Sequence, residues 1–99
     1  MLSAREVENY SVTIYMDSGQ SRGAEIWFRD KDNRSAGRIY FMSPEAESGK
    51  NFVDRGGNPV VHLPLSMFEA VMDLIRNEKP LYFGERALST SKEPIGEAE

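Results

Sequence analysis

Residues 24–42 read AEIWFRDKDNRSAGRIYFM. Two short runs of alternating character flank a polar stretch, KDNRS, at residues 31–35. Successive side chains of a strand point to opposite faces, so alternation of this kind predicts a half-buried strand on each side of a turn. If Ile26, Phe28, Ile39 and Phe41 face a core, Trp27, Arg29, Arg38 and Tyr40 share the opposite face. A merely solvated face would favour Thr, Lys, Glu and Ser. This one carries large rings and guanidinium groups instead, and it is the main functional lead in the chain.

Working outward, NYSVTIYM (residues 9–16) alternates in the same way. Val12, Ile14 and Met16 point one way, and Ser11, Thr13 and Tyr15 the other. DSGQSRG (17–23) reads as a turn, so the first three strands form an antiparallel meander. Residues 43–58 read as a long loop with a strand fragment at 51–54, and PVVHL (59–63) as a fourth strand. In SMFEAVMDLIRNEKP (66–80), Ser66 with Glu69 matches a capping box, and Phe68, Val71, Met72 and Ile75 follow helical spacing. Pro80 ends that helix. LYF (81–83) and ALST (87–90) leave room for a short C-terminal hairpin, and SKEPIGEAE (91–99) reads as an acidic flexible tail. The expected fold is α+β: an antiparallel sheet of four or more strands in the order β-β-β-β-α, with one helix on one face. Residues 1–90 form one domain. Val12, Ile14, Val61 and Leu63 are expected to join the core with the helix residues.

The chain has 99 residues, a length suited to one modest core. It has no cysteine, which excludes disulfides, thiolate metal sites and cysteine nucleophiles and suits a cytoplasmic location. No long apolar run predicts a signal peptide or a membrane span. The formal net charge is −4, unevenly spread: residues 20–58 carry +1, residues 1–19 carry −2 and residues 59–99 carry −3. Nucleic-acid binders usually show a stronger basic excess.

The candidate site is therefore Tyr15, Trp27, Arg29, Arg38, Tyr40 and His62. One reading is a non-catalytic module that binds single-stranded nucleic acid, such as single-stranded DNA. Rings stack on bases, and arginines pair with phosphates or stack on rings. The other reading is a protein-interaction or homodimerisation module using the same face, since interfaces also favour Trp, Tyr and Arg. A third arrangement has the C-terminal hairpin covering these residues.

The segment IYFMSPEAESGKNFVDRGGNPVVHLPLSMFEAVMDLI (39–75) resembles the C-terminal domain of the positive-cofactor-four transcriptional coactivators, and more distantly the Whirly proteins. Pro44, Glu45, Lys50, the strand VVHL (60–63) and Phe68 occupy the matching places. The resemblance implies four antiparallel strands and a helix, a homodimer, and single-stranded nucleic-acid binding on the sheet.

Other constellations carry little chemistry. His62 is the only histidine and has no partner at metal-ligand spacing. Asp30 and Asp32 lack the glycine and terminal glutamate of a calcium loop. Glu45 and Glu47 sit in a loop that offers no burial to separate two carboxyl pKa values. RGGNP (55–59) does not run into a helix, so it is no phosphate loop. The methionines read as core filler. No catalytic residue, metal or cofactor is expected.

Overall fold

A computed structural model describes residues 5–16, 22–44 and 49–90 of the chain. Among the described residues there are eight strands: β1 (Arg5–Val7), β2 (Asn9–Ile14), β3 (Arg22–Arg29), β4 (Ser35–Met42), β5 (Phe52–Val53), β6 (Pro59–Pro64), β7 (Leu81–Phe83) and β8 (Leu88–Thr90). The helix α1 (Phe68–Asn77) follows β6 after a 3-10 turn at Leu65–Met67. The fold is α+β with mixed sheets. The larger sheet has the order β2-β3-β4-β6-β5, and the smaller has the order β1-β7-β8. The expected tail at 91–99 lies outside the described residues, as do Glu45 and Glu47.

The meander of β2, β3 and β4 forms as the alternation predicts, with Val12 opposite Ile26 and Ile26 opposite Ile39. The fourth expected strand differs. β6 runs parallel to β4, with Ile39 beside Val61 and Phe41 beside Leu63. Residues 43–58 supply the crossover that a parallel pair requires. Within it, β5 folds back antiparallel onto β6 and becomes the sheet edge. The sheet is thus mixed, unlike the four antiparallel strands that the resemblance implies.

Two of the turns share one design. Asp30 Oδ1 accepts the backbone N–H groups of Asp32 and Arg34, and Asp54 Oδ1 accepts those of Gly56 and Asn58. Asn33 (φ 63°) and Gly57 (φ 81°) take the left-handed position in each. Short side-chain acceptors and residues that tolerate positive φ are what such turns need. The backbone N–H bonds also hold Asp30 below its ordinary carboxylate value, Arg34 first among them.

Ile26, Phe28, Ile39 and Phe41 are buried, as the alternation predicts, and Val71, Met72 and Ile75 of α1 pack on them in one cluster. The cluster also takes in Val7, Leu81 and Phe83 from the smaller sheet. Phe83 stacks on Phe28 at 4.8 Å, and Phe68 meets Phe41 edge-on at 5.1 Å. A register shift between Phe28 and Arg29 inserts an extra residue in β4, so Ala36 and Ile39 are both buried despite opposite parity. Gly37 beside it adopts φ 126°, and a Cβ there would lie 2.5 Å from the Phe83 ring. Glycine at this point lets the small sheet close on the large one.

Two expectations are corrected. Val12, Ile14 and Met16 are exposed (36, 60 and 91%) rather than core. They face the side expected, but β2 is an edge strand beyond the reach of one ten-residue helix. The capping box is also absent. The chain enters the helix from extended Pro64 through the 3-10 turn, so Ser66 lies inside that turn rather than ahead of α1. The position before α1 is Met67, with no side-chain cap.

Candidate functional site

All six candidate residues lie on the sheet face opposite the core, and all are half-buried. Equal parity within β3 and β4 aligns Trp27 with Arg38 and Glu25 with Tyr40. The parallel register then sets Tyr40 beside His62. The C-terminal hairpin does not cover this face, because Phe83 packs on Phe28 from the other side.

The face is organised by guanidinium groups lying over rings. Arg29 sits 3.9 Å from the Trp27 ring centre, and Arg38 sits 4.5 Å from it. Arg22 lies 3.9 Å over Tyr40. Such contacts contribute about 0.5–1 kcal/mol each at exposed sites. The Trp27 indole N–H donates to Ser35 Oγ at 2.8 Å. Glu25 is the carboxylate that bonds to the cluster. It accepts the Tyr15 hydroxyl at 2.6 Å and lies 3.5 Å from Arg38, which also donates to Tyr40 Oη at 3.4 Å. The bond to Glu25 raises the Tyr15 phenol above its ordinary value, and the bond to Tyr40 raises Arg38. The two Arg38 hydrogen bonds are long and individually weak.

An aromatic row continues across the sheet. His62 lies 5.5 Å from Tyr40 and 6.3 Å from Phe52, which is exposed at the β5 edge. Burial lowers the pKa of His62, and the Arg22 charge adds to this. The row runs Trp27, Tyr40, His62, Phe52, with Arg22, Arg29 and Arg38 interleaved. On a chain of net charge −4, this cluster gathers three arginines over Trp27 and Tyr40.

Parity alone finds four of the six residues at once; Glu25 shares that parity in β3 but was not singled out. Arg22 escapes parity because a register shift between Arg22 and Ala24 turns it onto this face. Phe52 needed the β5–β6 hairpin, for which the Asp54 to Asn58 turn was the available signal.

Elsewhere, α1 and the C-terminal hairpin enclose an open apolar cleft of about 320 Å³, lined by Val61, Leu63, Val71, Leu74 and Leu88. Its one amide side chain, Asn51, is already engaged: it donates to Glu85 O and accepts the His62 N–H. Among the described residues no group of three His, Cys, Asp or Glu could hold a metal ion, and no helix is long and apolar enough to cross a membrane.

Comparison with protein-family models gives no match, and comparisons with curated proteins and with solved structures give none either.

Proposed function

We propose that this protein is a non-catalytic module that binds single-stranded nucleic acid across the outer face of its larger sheet. The observation that carries the reading is the stacking of three guanidinium groups on Trp27 and Tyr40. Guanidinium planes and rings both stack on unpaired bases, and the same arginines pair with phosphates. The rings of the face are capped by cations, so an apolar protein partner would gain less there than an anionic, ring-bearing ligand.

Trp27 is the only tryptophan, so its fluorescence reports on the face alone. A mixed-sequence single-stranded oligonucleotide should quench it at low salt, and affinity should fall steeply with salt through counterion release. With a labelled oligonucleotide, Trp27→Ala should weaken binding by about 1–3 kcal/mol. Arg38→Ala should lower the salt slope by about 1. Absence of binding at low salt would refute the reading. Binding of acidic protein partners instead would move the face to the protein-interaction class.

A further inference from the structure

At the edge of the larger sheet opposite β5 stands β2, and among the described residues only β3 pairs with it. The apolar side chains of β2 are the ones the core leaves out. Tyr10, Val12 and Ile14 are 40, 36 and 60% exposed, although they lie opposite buried Phe28, Ile26 and Ala24.

The register also says where the backbone points. Tyr15 donates its N–H to Gly23 O, one step beyond Ile14 opposite Ala24. Hydrogen-bonded pairs alternate in an antiparallel ladder, so Thr13 with Glu25 and Ser11 with Trp27 are bonded pairs too. The N–H and C=O groups of Tyr10, Val12 and Ile14 therefore point away from β3, toward the open edge. Native edge strands are usually protected by charges, prolines or bulges. Residues 9–16, NYSVTIYM, contain no charged residue and no proline.

Read from its centre, β2 is close to a palindrome. Val12 is flanked by two hydroxyl residues, Ser11 and Thr13, and then by two large apolar residues, Tyr10 and Ile14. We propose that β2 pairs antiparallel with the β2 strand of a second copy, about a two-fold axis passing beside Val12. Val12 then faces the partner's Val12, Tyr10 faces the partner's Ile14, and Ser11 faces the partner's Thr13. A two-fold axis normal to the sheet keeps each face on its own side. The apolar stripes therefore merge, and the outward-pointing donors meet outward-pointing acceptors. Aromatic with β-branched residues, and serine with threonine, are favourable cross-strand pairs, and no charge meets a like charge.

The exposed fractions of Tyr10, Val12, Ile14 and Met16 amount to more than two whole residues. At an upper figure of about 200 Å² each, their complete burial gives at most roughly 900 Å² for the pair of protomers, backbone included. Specific interfaces begin near ~1,000 Å², so the dimer is a reversible one. It also sets both Trp27 faces on the same side of one continuous sheet.

Sedimentation of the full chain over a range of concentrations tests this. The native chain should show a monomer–dimer equilibrium. Val12→Lys should raise the dissociation constant at least tenfold while leaving far-UV circular dichroism unchanged. Because the chain has no cysteine, Val12→Cys supplies a second readout that does not depend on the lysine variant folding. The facing Cα atoms would lie about 5.5 Å apart, within disulfide range, so mild oxidation should yield a covalent dimer. Met16→Cys, opposite the partner's Glu8, should not cross-link. A monomer at every concentration, association that Val12→Lys leaves unchanged, species larger than a dimer, or equal cross-linking of both cysteine variants would each overturn the proposal. Oligonucleotide binding by a monomer would overturn the dimer alone.

Discussion

His62 sits between two rings on a sheet face, and its buried Nδ1 has no hydrogen-bond partner among the described residues. Burial and the Arg22 charge disfavour its protonated form, and a backbone hydrogen bond with Lys50 only partly opposes them. Its folded pKa therefore lies below the ordinary value near 6.5. The unfolded chain binds the proton more readily, so stability rises with pH between the folded pKa and about 6.5. On acidification the loss begins below about 6.5 and is complete at the folded pKa. Urea midpoints at pH 7.5 and 5.5 should thus differ, with the lower value in acid, and His62→Gln should shrink the difference. An unchanged difference would assign the effect to other groups.

The elements are set by turns and by close approach as much as by apolar pattern. Asp30 and Asp54 build equivalent turns, one passing through Asn33 and the other through Gly57. Gly37 and Gly57, both at positive φ, make a controlled comparison. Nothing lies within 4 Å of a Cβ at Gly57, so Gly57→Ala should cost only the left-handed backbone term, about 1–2 kcal/mol. Gly37→Ala adds collisions with the Phe83 ring and with Pro59 O. Thermal unfolding should show it as the more damaging variant by a wide margin. Equal costs would mean that the small sheet does not close over Gly37. The helix shows the limit of local pattern. Ser66 and Glu69 have capping spacing, yet Pro64 starts a 3-10 turn that removes Ser66 from the capping position.

Across the whole molecule, the last hairpin completes the core. Phe83 is 1% exposed and Leu81 6%, and with Val7 they join the two sheets into one buried cluster. Phe83→Ala should cost roughly 3–5 kcal/mol. Trp27 lies on the opposite face of the larger sheet, so its fluorescence and far-UV circular dichroism probe distant parts of the structure. Both should report the same midpoint, shifted together in the variant, as a single cooperative domain requires. Separate midpoints would show that the small sheet unfolds alone.

Much of the candidate face was legible in residues 24–42. Strand alternation is a property of backbone geometry over a few residues, so Trp27, Arg29, Arg38 and Tyr40 follow directly once Ile26 and Phe41 are assigned inward. The helix, the C-terminal hairpin and the polar turn at Asp30 were readable for the same local reason. Other features have no local signature. The parallel direction of β6 depends on how residues 43–58 cross over, and the placement of Arg22 depends on a register shift against β4. The exposure of Val12 and Ile14 depends on β2 being an edge that α1 does not reach. By itself the sequence determined which side chains share a face. Only the tertiary structure decided which faces are covered and which edge stays open, because burial arises from contacts between segments far apart in the chain.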